Sequence, residues 1–306
     1  MKPLGTRPRI LAALMSASAL AGLLTAASLP AADASQTAAT ADGRCAPGTA
    51  TPPTSTTWRQ TFGDEFDTTT LDESKWNTYM DFAGARGKYQ HNDAYLSYAL
   101  EKNIVLDGDG TLKLRADKET VVGTDPVGTW DYSEGFIASH DKFYQRYGYW
   151  EICARYPAGK GLWPAFWTAA QNRTWPDEFD IAEWFGGGRT EVPSGEPVMF
   201  MGHVKGGSWN RQNWYGEFVP GTAPTEGWHT YGLEWRNGYA AYYVDGVKHH
   251  EVAGEDKVPV DSMYLILNSG VTGRDNLGGP PDDTTVWPND FQVDYVRVYQ
   301  SSAASR

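Results

Sequence analysis

The sequence has 306 residues, of which 41% are apolar, and 26 Lys and Arg against 38 Asp and Glu give it a formal net charge of −12. This length and apolar content can form a sizeable core, which excludes a disordered chain, and the negative charge disfavours nucleic acid and anionic membrane surfaces as partners. Aromatic residues make up 13% of the chain and glycines number 33, a composition that favours a β-rich protein able to stack on flat ligands.

The first 34 residues are typical of an export signal. Three basic side chains precede an apolar run at 10–24, and Ala32-Asp33-Ala34 fits a signal-peptidase cleavage site. A retained membrane anchor is the alternative, but the run is shorter than about 20 residues and is interrupted by Ser16. We therefore expect residues 1–34 to be a signal peptide and the mature protein to be secreted and extracellular.

Residues 35–57 are rich in Ala, Thr, Pro and Ser, a composition that predicts a flexible lead-in. Without an internal repeat or a second linker, the economical interpretation is one folded domain at 58–301, followed by a short C-terminal tail at 302–306. We expect this protein to be a monomer.

Within the domain, side chains alternate between apolar and polar with a period near two. The clearest segments lie at 111–115, 147–156, 239–244 and 291–299. Turn signals separate them, for example Asp107-Gly108-Asp109-Gly110 and Asp245-Gly246. Many short strands without helical periodicity predict an all-β fold, in particular a two-sheet antiparallel jelly-roll sandwich.

Four acidic residues fall within seven positions of an aromatic stretch at 175–184. On a regular strand Glu178 and Asp180 share one face, whereas Glu183 points to the other. One extra residue near Ile181-Ala182, a β-bulge, brings all three carboxylates to the same face and turns Phe179 and Ile181 into the core.

Adjacent carboxylates do not all ionise near neutral pH, so one of them is expected to stay protonated. A carboxylate beside a protonated carboxyl is the pair that retaining glycoside hydrolysis requires. The same cluster also suits a calcium ion or an acidic strand that faces water, and composition alone leaves these alternatives open.

The spacing Glu178-x-Asp180-x-x-Glu183 resembles the active-site signature of glycoside hydrolase family 16, in its bulged, laminarinase-like form. Segments that resemble the family occur in order through the domain, at 62–66, 147–151, 161–167, 228–235 and 293–299. The resemblance implies a β-jelly-roll with a concave substrate cleft. It also implies that Glu178 is the nucleophile, that Glu183 is the general acid/base and that Asp180 tunes both.

The resemblance further implies a set of substrate-binding residues. For the tryptophans and the histidine there is an alternative without a function: a tryptophan is commonly buried, and a histidine is commonly part of the core or the surface. The expected substrate contacts are Trp163, Trp167, Trp175, His203 and Asn92.

Departures from the family pattern bear on the substrate. Where laminarinases usually carry an arginine, this chain has Glu134-Gly135-Phe136-Ile137, and the late Leu-Asn pair continues as Leu267-Asn268-Ser269-Gly270. We therefore expect an endo-acting, retaining β-glycan hydrolase for β-1,3-glucan or mixed-linkage β-1,3-1,4-glucan. Alternatives are a galactan or agar hydrolase, a transglycosylase and, from another class, a lectin that has lost catalysis.

Two expectations concern stabilising links. The only two cysteines, Cys45 and Cys153, predict a disulfide because an even count in an exported chain favours pairing, with two free thiols as the alternative. The resemblance implies a structural Ca²⁺ on the face away from the cleft, with Asp294 among its ligands. The alternative is that Asp294 pairs with a neighbouring group, and we expect no cofactor for catalysis.

Overall fold

Nineteen β-strands and two short 3₁₀ turns make up the regular structure of the residues described in a computed structural model. These residues are 43–45, 57–82, 84–173, 177–192, 196–205, 208–209, 214–216 and 223–302. They belong to one unit, Ala34–Arg306. The strands are β1 (Trp58–Asp64), β2 (Ser97–Ala99), β3 (Ile104–Leu106), β4 (Leu112–Ala116), β5 (Val121–Thr124), β6 (Val127–Trp130), β7 (Tyr132–Glu134), β8 (Phe136–Ala138), β9 (Gly148–Arg155), β10 (Leu162–Ala170), β11 (Glu178–Phe185), β12 (Val198–Lys205), β13 (Ser208–Trp209), β14 (Trp214–Gly216), β15 (His229–Arg236), β16 (Tyr239–Val244), β17 (Val247–Ala253), β18 (Met263–Val271) and β19 (Asn289–Ser301). The 3₁₀ turns are Glu101–Asn103 and Asp275–Leu277.

Two antiparallel sheets contain most of these strands. The eight-stranded sheet has the order β17-β16-β15-β9-β19-β4-β3, and β1 adds to β19. The seven-stranded sheet has the order β13-β12-β11-β10-β18-β8, and β14 adds to β12. The predicted all-β, two-sheet jelly-roll is confirmed, and each of the four segments with clear alternation overlaps an observed strand.

The main core lies between the two sheets, because each sheet turns alternate side chains toward the other. The eight-stranded sheet contributes Trp150 and Ile152 from β9, and the seven-stranded sheet contributes Phe179 and Ile181 from β11. All four side chains are essentially inaccessible to solvent. The prediction that Phe179 and Ile181 point into the core is therefore confirmed.

Strand β19 is the central strand of the eight-stranded sheet. It pairs along its length with β9, and its other edge is shared by β4 near its beginning and β1 near its end. Between β19 and β9 the register shifts, since Val293 pairs with Ala154 and Tyr295 pairs with Cys153. Asp294 is thus an extra, bulged residue beside Cys153.

The predicted disulfide is confirmed: Cys45 is bonded to Cys153 in β9, across a sequence separation of 108 residues. It attaches the segment before β1 to the outer face of the eight-stranded sheet, where Cys45, Cys153 and Tyr295 pack together. The proposed signal peptide, residues 1–34, lies outside the described residues. Within the described part of the chain, no helix has the length and apolar character needed to cross a membrane.

We expect replacement of both cysteines by serine to lower the free energy of unfolding by about 2–4 kcal/mol, because the closed loop restricts the unfolded chain. Urea unfolding of the variant and the oxidised wild type measures this difference. Detection of two free thiols in the denatured, unreduced wild type would contradict the pairing.

Candidate active site

The three predicted carboxylates lie side by side on the outer face of the seven-stranded sheet. Glu178, Asp180 and Glu183 are paired with three residues of β10 that alternate along that strand, and these are Ala169, Trp167 and Ala165, respectively. These partners belong to an apolar cluster separate from the core between the sheets, whereas the intervening Phe166 belongs to that core. The row of carboxyl groups therefore faces away from the core.

A β-bulge in β11 brings Glu183 into this row. Phe166 pairs with Ala182 and the next residue, Trp167, pairs with Asp180, so Ile181 is the extra residue. The register with β12 shifts at the same place, between Asp180 and Glu183. The predicted bulge near Ile181-Ala182 is confirmed, and both of these side chains contribute to the core.

The three acids differ in environment. Glu178 is partly exposed, whereas Asp180 is 4% and Glu183 7% exposed. Burial raises the pKa of Glu183 to about 7. Burial also raises the pKa of Asp180 well above its ordinary value, and the neighbouring charges of Glu183 and Glu178 raise it further. The row therefore holds at least one proton at neutral pH.

Two groups oppose the rise in the pKa of Glu183. The nearby Arg189 guanidinium favours the ionised carboxyl, and Trp163 Nε1 donates a hydrogen bond of 2.7 Å to Glu183 Oε1. Tyr95 stacks on the Trp163 ring, with centroids 4.5 Å apart, and fixes the indole in this orientation. Glu183 is thus held in one position with a pKa near neutral, where a carboxyl can both give and accept a proton.

Trp163 and Trp167 lie on the same face as the carboxylates, but only Trp163 is partly exposed. Trp167 is 5% exposed, because His91 stacks on its ring at 5.5 Å and Phe82 packs against it edge-on at 5.2 Å. The expectation that Trp167 contacts the substrate is therefore corrected: its side chain lies beneath the segment that carries these two rings.

His203 does not face the carboxylates. It lies in β12, is paired with Phe179 of β11 and is 1% exposed. It follows the core residues Met199 and Met201 at two-residue spacing, so it lies on the same face of β12 as they do. Its Nε2 donates to the Lys257 carbonyl oxygen at 3.0 Å, and burial lowers its pKa to about 4. The expected cleft histidine is therefore a neutral residue of the core.

Asn92 is partly exposed in the segment that also carries His91 and Tyr95. Its Oδ1 accepts a hydrogen bond of 2.8 Å from the Ala94 backbone N–H, so one end of its amide stabilises a turn. Trp175 lies outside the described residues.

The expected calcium ligand Asp294 is paired with a cationic side chain in this structure. Its Oδ1 lies 3.4 Å from Arg44 Nη1, so a cationic side chain occupies the position next to the carboxylate. Across the described ranges, no group of three or more His, Cys, Asp or Glu side chains is arranged to hold a metal ion. The alternative, that Asp294 pairs with a neighbouring group, agrees with the structure.

A further buried acid close to the row escaped the sequence analysis. Glu134, at the end of β7, is inaccessible to solvent and accepts a hydrogen bond of 3.3 Å from Asn268 Nδ2. Asn268 is paired with Ala165 of β10, which is paired on its other side with Glu183. The Asn268 Oδ1 accepts a hydrogen bond of 3.0 Å from Trp167 Nε1. The departure from the family pattern at Glu134-Gly135-Phe136-Ile137 was the available signal.

Burial raises the pKa of Glu134 from 4.5 to about 8. Since the unfolded carboxyl ionises near pH 4.5 and the folded one near pH 8, its contribution to stability declines as the pH rises between these values. The side chain of Glu134→Gln cannot ionise. We therefore expect the free energy of unfolding of the variant, minus that of the wild type, to be larger at pH 8 than at pH 4 by an amount on the order of 4 kcal/mol.

Urea unfolding at both pH values tests this expectation, with Glu73→Gln, at an exposed position, as the control. Parallel pH profiles of Glu134→Gln and the wild type would show that Glu134 is ionised in the folded protein at neutral pH.

A cavity of 690 Å³ adjoins the end of β11, beyond Glu183. Its walls include Lys160, Arg189 and Asp275 together with glycines from two loops. The loops touch backbone to backbone: a Cβ on Gly187 would lie 2.3 Å from the Gly278 carbonyl oxygen. Its volume lies within the usual range for ligand pockets.

A jelly-roll that presents a row of carboxyl groups beside a tryptophan has the architecture of a glycoside hydrolase. The family model confirms this class. The chain belongs to glycosyl hydrolases family 16, whose model matches residues 91–297, a range that contains all three carboxylates.

Individual relatives agree with the family. The chain is 28% identical to an endo-1,3-1,4-beta-glycanase of Rhizobium meliloti, over 80% of this chain and 52% of the relative. It is 30% identical to a beta-glucanase of Rhodothermus marinus, over 79% of this chain and 85% of the relative. The endo-beta-1,3-glucanase structure from Pyrococcus furiosus matches with a TM-score of 0.68 and 30% identity, covering 80% of this chain and 95% of that one. The chain spans about half the length, or less, of several curated relatives.

Proposed function

We propose that this protein is an endo-acting β-glucan hydrolase that retains the anomeric configuration and cleaves β-1,3-glucan or mixed-linkage β-1,3-1,4-glucan. The observation that carries the proposal is the bulged row of three carboxyls, in which Glu183 has a pKa of about 7 and a fixed hydrogen bond to Trp163. The names of the relatives support an endo-acting glucanase.

In this mechanism the Glu178 carboxylate attacks the anomeric carbon while the Glu183 carboxyl gives its proton to the departing glycosidic oxygen. A covalent glycosyl ester on Glu178 results. Glu183, now ionised, takes a proton from water as that water displaces Glu178, which restores both carboxyls. Asp180 lies between them, and its charge state sets how readily each neighbour ionises.

The surroundings of the row suit a neutral polysaccharide. The exposed part of the Trp163 ring provides apolar surface for a pyranose ring beside Glu183, to which its Nε1 is hydrogen-bonded. The cavity at the end of β11, which is lined by Arg189, has a volume sufficient for further sugar units. Phe136, which stands where laminarinases usually carry an arginine, is 1% exposed and paired with Asn268. The substrate contacts are therefore expected to differ here from those of arginine-bearing laminarinases.

Incubation of the protein with laminarin, lichenan, agarose and galactan, followed by sizing of the products, tests the proposal. We expect short oligosaccharides of several lengths from laminarin or lichenan, and initial products of β configuration by NMR. Cleavage restricted to agarose or galactan would replace the substrate assignment, transfer products in place of hydrolysis would identify a transglycosylase, and binding without cleavage would indicate a lectin.

The pH dependence of kcat/KM is expected to follow Glu183. Because the acid must be protonated, activity falls as the pH rises through about 7. Trp163→Phe removes a hydrogen bond that favours the ionised carboxyl, so we expect the alkaline limb of the pH profile to move to higher pH. An alkaline limb at the same pH in Trp163→Phe and the wild type would mean that the pKa of Glu183 does not set this limb.

We also propose that the protein acts outside the cell, after removal of residues 1–34. The Cys45–Cys153 disulfide supports export, because such bonds persist in oxidising compartments. N-terminal sequencing of the protein from the culture medium tests this, and a cell-retained protein that begins at residue 1 would contradict it.

A further inference from the structure

On the outer face of the eight-stranded sheet, the Arg44 side chain ends among oxygen atoms from two distant parts of the chain. Its Nη1 lies within hydrogen-bond distance of the carbonyl oxygens of Asp109 at 2.9 Å and Gly110 at 3.0 Å, and of Thr111 Oγ1 at 3.3 Å. The same nitrogen lies 3.4 Å from Asp294 Oδ1. We call these four oxygens the oxygen cage.

The cage is a product of local backbone geometry. The bulge at Asp294 sets that residue apart from the β9 register, and the turn before β4 has glycines in the left-handed region, including Gly110 at φ +78°. A Cβ on Gly110 would lie 3.1 Å from Arg44 Nη1 and 3.2 Å from Asp67 Oδ1, so a second carboxylate borders the cage. The Cys45–Cys153 disulfide holds the neighbouring Arg44 at this place.

The number of oxygens exceeds what hydrogen bonding to one nitrogen requires. Nη1 carries two protons, yet it has four oxygen neighbours within 3.4 Å. Two carbonyls, a hydroxyl and a carboxylate are the ligand types that hard divalent cations such as Ca²⁺ use, with water completing the shell. Because Ca²⁺ binds oxygen at 2.3–2.6 Å, an ion in the cage and the guanidinium exclude each other.

We propose that Arg44 is a built-in cation that fills the oxygen cage, and that the cage binds Ca²⁺ when this side chain is removed. The guanidinium neutralises Asp294 and satisfies the Asp109 and Gly110 carbonyls without an ion from solution. The wild-type protein is therefore independent of calcium, and a single substitution makes its stability depend on calcium.

The test is the thermal unfolding midpoint of the full chain in EDTA and in excess CaCl₂, with MgCl₂ as a second ion. We expect the wild type to change by less than about 1 °C. Arg44→Ala is expected to unfold at a lower temperature in EDTA and to gain about 5 °C or more at a Ca²⁺ concentration about a hundred times its Kd. Calorimetric titration is expected to find one Ca²⁺ per Arg44→Ala chain and none per wild-type chain.

Two further variants make the result specific to the cage. Arg59→Ala removes an exposed arginine of β1 and is expected to behave like the wild type. The double variant Arg44→Ala, Asp294→Asn is expected to lose the calcium response, because the carboxylate ligand is gone.

Two results would overturn the proposal: a calcium response in the wild type that Asp294→Asn abolishes, or no calcium response in Arg44→Ala. If Arg44→Ala does not fold in EDTA, its refolding yield replaces the melting temperature. Recovery only with CaCl₂ supports the proposal, and equal failure with and without CaCl₂ rejects it.

Discussion

Glu178→Ala is expected to lower kcat on glucan by about 10⁴-fold or more, and to lower it as strongly on aryl glycosides that have activated leaving groups. The physical reason is that no covalent glycosyl intermediate forms without this carboxylate, whatever group departs. Steady-state rates on laminarin and on an aryl β-glycoside measure the loss. Glu73→Ala, which removes an exposed carboxyl away from the row, is the matched control and is expected to keep wild-type rates.

Substantial activity of Glu178→Ala on either substrate would remove Glu178 from the role of nucleophile. Products of inverted configuration from the wild type would do the same, because direct attack by water needs no ester on Glu178.

Glu183→Ala is expected to lose about 10²–10⁴-fold in kcat on glucan but to keep most of its rate of intermediate formation on activated aryl glycosides. A glycosidic oxygen needs a proton to depart, whereas an activated phenolate does not. The elevated pKa of Glu183, about 7, supplies that proton near neutral pH. Added azide reacts with the intermediate without a general base, so we expect restored turnover and a β-glycosyl azide, identified by NMR.

If the Glu178 variant yields the β-glycosyl azide and the Glu183 variant does not, the assignment is reversed: Glu183 is then the nucleophile and Glu178 the general acid/base. Equal loss on glucan and on activated aryl glycosides in Glu183→Ala would mean that Glu183 acts at a step other than leaving-group protonation.

The row of carboxyls was predictable because it depends on counting along one strand. Only an extra residue between Asp180 and Glu183 turns all three to one face, and the structure has Ile181 there. The face occupied by His203 was not predictable in the same way. β12 is apolar on both faces, so alternation does not say which face meets the other sheet.

Burial by distant segments also escaped the sequence analysis. Trp167 is covered by a ring from position 91, and Glu134 meets its partner Asn268 across 134 residues of sequence. Arg44 lies in a segment whose composition predicted only a flexible lead-in, and its place is set by the adjacent disulfide. Contacts of this kind depend on the tertiary structure and leave no periodic signal.

The central position of β19 has a consequence for the order of synthesis. This strand is the last of the nineteen to leave the ribosome, yet β9, β4 and β1 all pair with it. The eight-stranded sheet is therefore incomplete on any nascent chain that ends before residue 289, and premature stop codons upstream of that position leave β1 without a partner strand. In such fragments the edges of β1, β4 and β9 that face β19 are unpaired, and unpaired strand edges favour aggregation.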